Sequence, residues 1–481
     1  MNKIIMLALA LVLASSGVSS GQDNTRFRIV RGKADTVYTE KHYVVGVAKP
    51  GSEVTINGKI VKQYSTGGFG TMLNLAKGDN SISIKAVTDG KELTDNFSVF
   101  LKDREVVASE NRAVRPVTGP VISTLKGAYL NSSAGTDRLG GAKINYLAEN
   151  IRMELLDSLN NLYKVKLSDN RYSYIPKHLV KREATGVVPF SITSSVSVHS
   201  TGSADIVGIA LEGRHPYIVY RELTPNRIVV DIHGAQNNSN WLTHSLDLKM
   251  VDYVECRQSG SDVFSVIIYL KEKYSWGYSI DYSGNSMIIR VKHAPAPEFK
   301  GLVIGLDAGH GGSANGAISI TGAKEKELNL EMANILKAEF ERRGAKVIMA
   351  RSDDKDVSMQ DRIDFYRAGR ADMVLSIHCN AGGSPLEPMG ASTYYRHIEY
   401  RELAKKILSR MLELQGVKNF GLVGNFNFSL SSHSDIPVVL VETMFLSSLP
   451  DEEKILDPEF RRDMMLKVVK GVEDYLNEIR R

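Results

Sequence analysis

Four residues in the C-terminal part of this 481-residue chain have side chains suited to metal binding and water activation. They are His310, Glu325, His378 and Glu442. Two neutral imidazoles and one carboxylate, with a fourth position left for water, are typical of a catalytic zinc centre. Magnesium or calcium would require mostly oxygen ligands. The set therefore predicts a hydrolytic site with one zinc ion and a second carboxylate beside it.

The sequence around these residues predicts that distant parts of the chain converge. His310 comes shortly after an apolar run, and His378 and Glu442 each directly follow another; the runs are 302–306, 373–377 and 438–441. Near-continuous apolar runs separated by helical patterns indicate parallel strands buried on both faces. In open α/β sheets, ligands bind outside the carboxyl ends of such strands. We therefore expect these side chains to meet at one edge of a sheet.

Glu325 is the carboxylate predicted to join the two histidines. It follows His310 by 15 residues, across a glycine-rich loop, at the start of a helical pattern. A carboxylate at that position also interacts favourably with the helix dipole. Helix capping is therefore the alternative role for Glu325.

Helical and strand patterns alternate from residue 301 onward. Helices are predicted near 325–343, 358–368, 401–414 and 458–479, with apolar strand runs between them. Such alternation specifies a mostly parallel sheet with helices on both faces. Residues 300–481 are therefore predicted to form a C-terminal α/β domain.

Upstream of this domain the sequence predicts three small all-β modules. The first, 27–103, has short alternating runs separated by PG, NG, KGDN and TDGK turns, and it resembles the immunoglobulin-like β-sandwiches of exported bacterial proteins. The second, 115–182, resembles the bacterial SH3-like barrel in VISTLKGAYLN and YSYIPKHLV. The third, 187–293, resembles the AMIN domain, a β-sandwich, with RIVVDIHG as its best-fitting segment. Trp276 in this module is expected to pack in a core, a sugar contact being the alternative.

The amino terminus predicts export. Lys3 forms a positive n-region, 4–14 an apolar h-region, and Ser20 and Gly21 end a zone of small residues, so 1–21 reads as a signal peptide. The apolar run is short for a membrane span, and no later segment reaches the roughly 20 apolar residues that a transmembrane helix needs. We therefore expect no transmembrane segment and a location in the periplasm or cell envelope of a bacterium.

The charge of the chain bears on which polymers it can bind, and its two cysteines bear on whether it contains a disulfide. The formal net charge is +5 and is spread along the chain, so it provides no basic tract of the kind that binds nucleic acid. Attraction to an anionic cell wall is compatible with this charge, but ordinary solubility is the favoured explanation. Cys256 and Cys379 are the two cysteines, and they are expected to be separate buried thiols rather than a disulfide. Metal binding by Cys379 is the less favoured alternative.

Residues 301–481 resemble the zinc-dependent N-acetylmuramoyl-L-alanine amidases. The motifs that carry this resemblance are LDAGHGG, GAKEKELNL, SIHCNA and VVLVETMFLS. The resemblance implies that His310, Glu325 and His378 bind zinc and that Glu442 is catalytic. Glu327 is the competing ligand in the second motif.

The resemblance also implies a reaction. Zinc-activated water would cleave the amide bond between the lactyl group of N-acetylmuramic acid and L-alanine of the peptidoglycan stem peptide. Glu442 would take the proton of that water and pass it to the leaving amine. Asn380 and Thr443 are candidates for positioning the substrate.

The chain departs from the family pattern at three places. Residues 314–317 read Ala-Asn-Gly-Ala where the family often has Asp-Pro-Gly-Ala, Cys379 replaces a small residue, and Ser431 or Ser432 stands where an Arg is often found. Only 381–389 separate the third motif from the next strand, which is too short for an inhibitory helix of the kind that some division amidases carry. We therefore expect any restraint on activity to come from the upstream modules.

Two other functions are compatible with the same features. One is a wall-binding scaffold with an inactive catalytic domain, which would lack a ligand or the catalytic acid. The other is a metallohydrolase that acts on a different amide of the wall peptide. All four site residues are present, which favours an enzyme over a scaffold.

Overall fold

The computed structural model describes residues 27–102, 115–117, 119–135 and 140–480. The chain divides into two compact units, Met1–Ser109 and Glu110–Arg481. The predicted signal peptide at 1–21 lies outside the described residues. Among the described residues, no helix combines the length and apolar character required to cross a bilayer.

The first unit consists of two β-sheets around one apolar core. Its strands are β1 (Arg28–Arg31), β2 (Thr36–Val37), β3 (Lys41–Val47), β4 (Glu53–Ile56), β5 (Lys59–Val61), β6 (Gly68–Asn74), β7 (Gly78–Thr88) and β8 (Lys91–Leu101). The sheet orders are β1-β3-β6 and β2-β8-β7-β4-β5. Asp89 and Gly90 both have positive φ, which suits the two-residue hairpin between β7 and β8. Alternate residues of β7 and β8, such as Ile82, Ile84 and Val99, fill the core.

The second unit begins with a seven-stranded antiparallel sheet. The first strands of this unit are β9 (Arg115–Val117), β10 (Val121–Thr124), β11 (Tyr129–Asn131), β12 (Lys143–Tyr146), β13 (Arg152–Leu159), β14 (Leu162–Ser168), β15 (Arg171–Pro176) and β16 (Val180–Glu183), and all of them except β9 belong to the sheet. The sheet order is β12-β11-β15-β14-β13-β10-β16, and β9 pairs separately with the next strand of the chain. We call residues 119–183 the barrel region.

Twelve further strands follow, and nine of them form two sheets that share their core with the barrel region. The strands are β17 (Gly186–Val188), β18 (Ser191–Ile192), β19 (Ser195–Ser200), β20 (Ala204–Ile209), β21 (Tyr217–Leu223), β22 (Asn226–His233), β23 (Ala235–Gln236), β24 (Trp241–His244), β25 (Val251–Gly260), β26 (Val263–Leu270), β27 (Tyr278–Ser283) and β28 (Ser286–Lys292). The orders of the two sheets are β24-β19-β20-β28-β27 and β21-β22-β26-β25, while β17 pairs with β9 and β18 with β23. We call residues 186–292 the sandwich region. One continuous apolar cluster joins Ile122 and Ile175 of the barrel region to Val230 and Phe264 of the sandwich region.

The C-terminal region is built on a six-stranded sheet with five helices. Its elements are β29 (Val303–Ala308), α1 (Glu325–Arg342), β30 (Lys346–Met349), α2 (Met359–Ala368), β31 (Met373–Asn380), β32 (Ala391–Tyr394), α3 (Arg401–Met411), β33 (Asn419–Val423), β34 (Val438–Phe445), α4 (Leu449–Leu456) and α5 (Pro458–Ile479). The sheet order is β30-β29-β31-β34-β32-β33. Every neighbouring pair is parallel except β32 with β34.

The residues of the central strands alternate between two buried faces. Ile304, Leu375 and Val439 belong to a large cluster that includes the apolar faces of α1, α3 and α5. Val374 and Val438 belong to a smaller cluster with α2. Since helices cover both faces of the described sheet, the ends of its strands are the places where the predicted site residues can be reached.

Two strands extend farther than the sequence predicts. β31 continues past His378 to Asn380, and β34 continues past Glu442 to Phe445, because the ladder pairs His378 with Glu442 and Asn380 with Phe445. The predicted strand ends at these two residues were therefore wrong. The helix α4 and the edge strand β33 were not predicted.

The sandwich region packs directly against the C-terminal region. Trp276 is 1% exposed and belongs to the same apolar cluster as α5. Its ring lies 6.3 Å from that of Tyr475, and Tyr274 meets Tyr475 edge to face at 5.5 Å. The expectation that Trp276 lies in a core is confirmed, and the core is that of the neighbouring region.

Candidate active site

His310 is held in a strained loop directly after β29. Its φ is 61°, a left-handed conformation that is uncommon for a residue with a side chain. Two buried arginines fix this loop through main-chain oxygens. Arg362 donates to His310 O at 2.7 Å and to Ala308 O at 2.9 Å. Arg351 donates to Gly309 O at 2.9 Å.

Glu325 lies between the two histidines. As the first residue of α1, it projects its carboxylate into the loop that carries His310. Its Oε2 lies 3.2 Å from His310 Nε2, and its Oε1 lies 2.9 Å from His378 Nδ1. The backbone N–H of Ala317 donates to Oε2 at 2.7 Å and that of Cys379 to Oε1 at 3.1 Å. Helix capping, the alternative role, does not account for these two histidine contacts.

Glycine is required at two positions around this cluster. A Cβ on Gly309 would lie 2.2 Å from the ring of His378, and one on Gly316 would lie 2.4 Å from Glu325 Oε2. Gly316 also has a positive φ of 69°. The glycine-rich sequence therefore lets the loop approach the cluster closely.

The charge state of Glu325 follows from its contacts. Burial alone would raise its pKa, but the hydrogen bonds with His310 and His378 outweigh burial, and the pKa of Glu325 is lowered. The carboxylate is therefore ionised at neutral pH. The ligand atoms of His310, Glu325 and His378 all lie within 4.8 Å of one another, so these residues form a His–Glu–His set able to hold a metal ion.

Glu442 lies beside His378 on the adjacent parallel strand. The two residues are in register between β31 and β34. Burial raises the pKa of Glu442 to about 7; the charge of His378 opposes this shift and that of Glu325 adds to it. Its Oε2 is buried and has no hydrogen-bond partner among the described residues. Glu442 therefore has the protonation range of a general acid or base near neutrality.

The remaining predicted residues occupy different surroundings. Glu327 is outside the cluster; its side chain is 57% exposed and faces Lys324. Asn380 is half-buried and donates to the hydroxyl of Tyr394 at 3.0 Å. Thr443 is fully buried and donates to His378 O at 3.1 Å, which gives it a role in holding β31 rather than a surface for substrate.

Both cysteines are free thiols. Cys379 is buried, and burial raises the pKa of its thiol well above the ordinary value. Its Sγ lies 3.4 Å from the hydroxyl of Thr443. The ligand atoms that lie close together are those of His310, Glu325 and His378, and Cys379 is not part of this group.

A cleft of about 360 Å³ opens beside the cluster. Its lining includes His310, His378, Asp356, Met359, Arg362 and Phe428. The ring of Phe428 meets that of His378 edge to face, with centroids 6.1 Å apart. The histidine side of the cluster therefore faces this cleft.

Sequence reasoning missed the residues that support the cluster. Arg362 forms a buried ion pair with Asp307 at 2.6 Å, and Ser376 donates to the other oxygen of Asp307 at 2.7 Å. Asp307 directly follows the apolar part of β29, and a polar residue at the end of a predicted strand could have indicated a role near the site. The two arginines had no such signal, because they lie in a helix and a loop whose facing surfaces depend on the tertiary fold.

Comparison with known proteins gives two domain matches. The N-acetylmuramoyl-L-alanine amidase family matches residues 304–474, and the AMIN domain matches residues 195–291. The first range contains all four site residues. The second falls within the sandwich region.

The chain is also similar to individual amidases. It is 30% identical over 237 residues to the "Probable cell wall amidase LytH" of Staphylococcus saprophyticus, which covers 49% of this chain and 78% of that protein. It is 31% identical over 200 residues to the "N-acetylmuramoyl-L-alanine amidase LytC" of Bacillus subtilis. This match covers 40% of this chain and 39% of LytC, so less than half of either protein is matched. A crystal structure of an N-acetylmuramoyl-L-alanine amidase from Clostridium difficile 630 aligns with a TM-score of 0.35 and 30% identity, over 37% of this chain and 97% of that one. From the family match and the similarity to LytH, the chain belongs to the N-acetylmuramoyl-L-alanine amidase family.

Proposed function

We propose that this protein is a zinc-dependent peptidoglycan hydrolase that cleaves the amide bond between N-acetylmuramic acid and L-alanine of the stem peptide. The observation that carries the proposal is the His–Glu–His cluster with Glu442 on the neighbouring strand, in a family of N-acetylmuramoyl-L-alanine amidases. The products are a peptide-free glycan strand and a free stem peptide.

The donor set fits zinc. Ligands at the zinc distance of 2.0–2.1 Å in a tetrahedron are about 3.3 Å apart. One oxygen of Glu325 lies 3.2 Å from His310 Nε2 and the other lies 2.9 Å from His378 Nδ1, and one ligand atom from each of the three residues falls within 4.8 Å of the others. Three protein ligands leave one position open, as in catalytic zinc sites. His310, Glu325 and His378 would therefore hold one zinc ion, with Glu442 outside the ligand set.

The residues around the cluster supply proton transfer and orientation. Held by these residues, a zinc ion would lower the pKa of a bound water toward neutrality and would polarise the amide carbonyl. Glu442, with its unpartnered buried oxygen, accepts the proton of the attacking water and returns it to the nitrogen of the leaving L-alanine. Its pKa of about 7 suits both steps at neutral pH. The hydrogen bonds to Glu325 from Ala317 and Cys379 keep both carboxylate oxygens directed at the histidines.

The rest of the chain is assigned in the same proposal. Residues 27–103 are an immunoglobulin-like module, 115–182 an SH3-like module, 187–293 an AMIN module and 300–481 an α/β catalytic domain. The AMIN match and the cell-wall amidase relatives support an exported protein of the periplasm or envelope, with peptidoglycan as its partner.

Product analysis tests the proposal. The full chain is incubated with purified peptidoglycan, with and without a chelator, and the products are identified by mass spectrometry. We expect intact stem peptides with a free L-alanine amine, their loss on chelation and recovery on adding zinc. Glu442→Ala should lower the rate at least 100-fold, since general acid–base catalysis contributes roughly 10²- to 10⁴-fold.

Glu327→Ala is the matched control, because this exposed carboxylate lies two residues from Glu325 and outside the cluster. It should retain full activity. Cleavage within the peptide stem would assign the enzyme to a different amide, and the absence of any product with zinc-loaded protein would leave the scaffold function instead.

A further inference from the structure

The loop between β33 and β34 forms one wall of the active-site cleft. This segment, residues 424–437, carries Phe428, whose ring lies 6.1 Å from that of His378. Its centre is a 3-10 turn, Leu430–Ser432, and the hydroxyls of Ser431 and Ser432 donate to Phe428 O at 3.1 and 2.6 Å. The position of Phe428 therefore depends on the conformation of this loop.

The barrel region contacts the loop on both sides of Phe428. Asn427 Nδ2 donates to Gly141 O at 2.7 Å. The rings of Tyr146 and His433 stack with centroids 4.0 Å apart and 14° between their planes. Arg396 bridges the two segments, donating to the main-chain oxygens of Lys143 and Asn425. Strand β12 and the residues before it thus hold the loop at positions 425, 427 and 433.

The sandwich region holds the far end of the same loop. Tyr278 N–H donates to Ser434 O and Ser434 Oγ donates to Tyr278 O, both at 2.9 Å. Gly277 allows this approach, because a Cβ there would lie 2.5 Å from Asp435 O. From the other side, Arg367 of α2 pairs with Asp435 at 2.6 Å.

These contacts are more than a general domain interface. They fall on one short loop, they lie on both sides of the residue that lines the cleft, and several of them engage its main chain. Within the C-terminal region, Leu430 is 4% exposed, Phe426 N–H donates to Tyr395 O at 3.1 Å, and the ring of Phe426 lies 4.7 Å from that of Tyr394. The contacts from the barrel region at Asn427 and His433 add to these and lie on both sides of Phe428, so they restrict the movement of this part of the loop further.

We propose that the barrel region is a positioning part of the active site: Gly141 and Tyr146 hold the 424–437 loop so that Phe428 forms the wall of the substrate cleft beside His378. The inference rests on the proposed function for its substrate. Tyr146 is a positioning residue, since it acts through the loop and not on the reacting atoms. The barrel region thereby contributes to substrate binding at the catalytic site.

The test compares Tyr146→Ala with Tyr146→Phe in the full-length chain. Loss of a stacked ring pair corresponds to roughly a 3- to 10-fold effect. We expect Tyr146→Ala to raise KM for a soluble muropeptide by roughly that factor with little change in kcat, because binding rather than chemistry depends on the wall. Tyr146→Phe, which keeps the stack, should behave as the wild type. Zinc content should stay at one ion per chain in both variants.

A second readout reports on the loop directly. The loop contains Phe426 and Phe428, which are cleavage sites for chymotrypsin once the segment opens. Tyr146→Ala should be cut there faster than the wild type, and Tyr146→Phe should not. Tyr172→Ala is the matched control, because Tyr172 is a tyrosine of the same region whose ring packs on Tyr174 instead. If Tyr146→Ala does not fold, Asn427→Ala removes the hydrogen bond to Gly141 from the other side and should give the same two effects.

The outcomes separate this inference from the proposed function. Unchanged KM and unchanged proteolysis in a folded Tyr146→Ala or Asn427→Ala variant would overturn the positioning role while wild-type amidase activity stands. If Tyr146→Ala is cut faster than the wild type but the zinc-loaded wild type releases no stem peptide, the proposed function is overturned, and the barrel region still holds the loop.

Discussion

Glu325 is the residue through which the cluster is organised. Each of its oxygens receives a backbone N–H and faces one histidine, so the carboxylate fixes the loop, β31 and α1 relative to one another. Asn329, one turn later on α1, donates to Oε1 at 3.1 Å. Such support around a ligand orients it before the metal binds.

Glu325→Gln tests this arrangement at the residue scale. The amide nitrogen of glutamine would face a backbone N–H donor in either orientation, and one buried donor would lose its acceptor at a cost of about 1 to 3 kcal/mol. We expect zinc content to fall from one ion per chain to near zero and the thermal midpoint to drop. Elemental analysis and calorimetry measure the two effects, with Glu327→Gln as the unaffected control. A full equivalent of zinc in Glu325→Gln would remove Glu325 from the ligand set.

The elements around the cluster are held by buried arginines rather than by strand pairing alone. Arg362 on α2 pairs with Asp307 at the end of β29, and these side chains are 5% and 1% exposed. Arg351 joins the same loop to the first turn of α1 by donating to Lys326 O at 2.8 Å. The carboxyl end of β29 is thereby connected to both α1 and α2.

Arg362→Ala should destabilise the C-terminal region by about 3 to 5 kcal/mol, because it leaves the Asp307 charge buried without a positively charged partner. Urea unfolding followed by helical circular dichroism measures this region selectively, since the described α-helices all lie between residues 325 and 479. Arg342→Ala removes an exposed pair with Glu339, and its effect should stay below about 1 kcal/mol. Equal effects of the two substitutions would show that the Arg362 pair does not stabilise the loop.

The four site residues could be predicted from the sequence because each lies next to a strong local signal. Apolar runs precede His310, His378 and Glu442, and a helical pattern begins at Glu325. The strand ends were misplaced because backbone pairing continues through polar residues once a neighbouring strand is in register. The 424–437 loop and its contacts with Tyr146 could not be predicted, since they join residues nearly 300 positions apart with no periodic pattern in either segment.

At the scale of the whole molecule, two buried histidines and one half-buried histidine connect stability to pH. Burial lowers the pKa of His215, His233 and His433 to about 4 in each case. His215 lies in the sandwich region with its Nε2 on the hydroxyl of Ser191, and His233 in the same region contacts the hydroxyl of Ser168 in the barrel region. His433 lies in the C-terminal region, and its ring stacks on that of Tyr146 in the barrel region. The folded state therefore keeps all three neutral at pH values where an unfolded chain would protonate them.

The sign of the pH effect follows from linkage. Above the ordinary histidine pKa of about 6.5, both states are neutral and the full stability is present. As the pH falls from there toward 4, the unfolded state binds protons that the folded state does not, so the thermal midpoint of the metal-free protein should fall. His215→Gln should make this fall shallower, whereas His199→Gln, at an exposed strand position, should leave it unchanged. A midpoint that stays constant across this range would contradict the prediction.

The burial of Trp276 has a consequence for dissecting the protein. The side chains of Trp276 and Tyr274 pack against Tyr475 of α5. The sandwich region and the C-terminal region therefore share an apolar core across the boundary near residue 300. A fragment that begins at this boundary would expose the apolar surface that Trp276 covers in the full chain, and it would tend to self-associate. Reaction rates measured on such a fragment would then depend on how much of it remains soluble. Point substitutions in the intact chain therefore measure the contribution of each region to activity more directly.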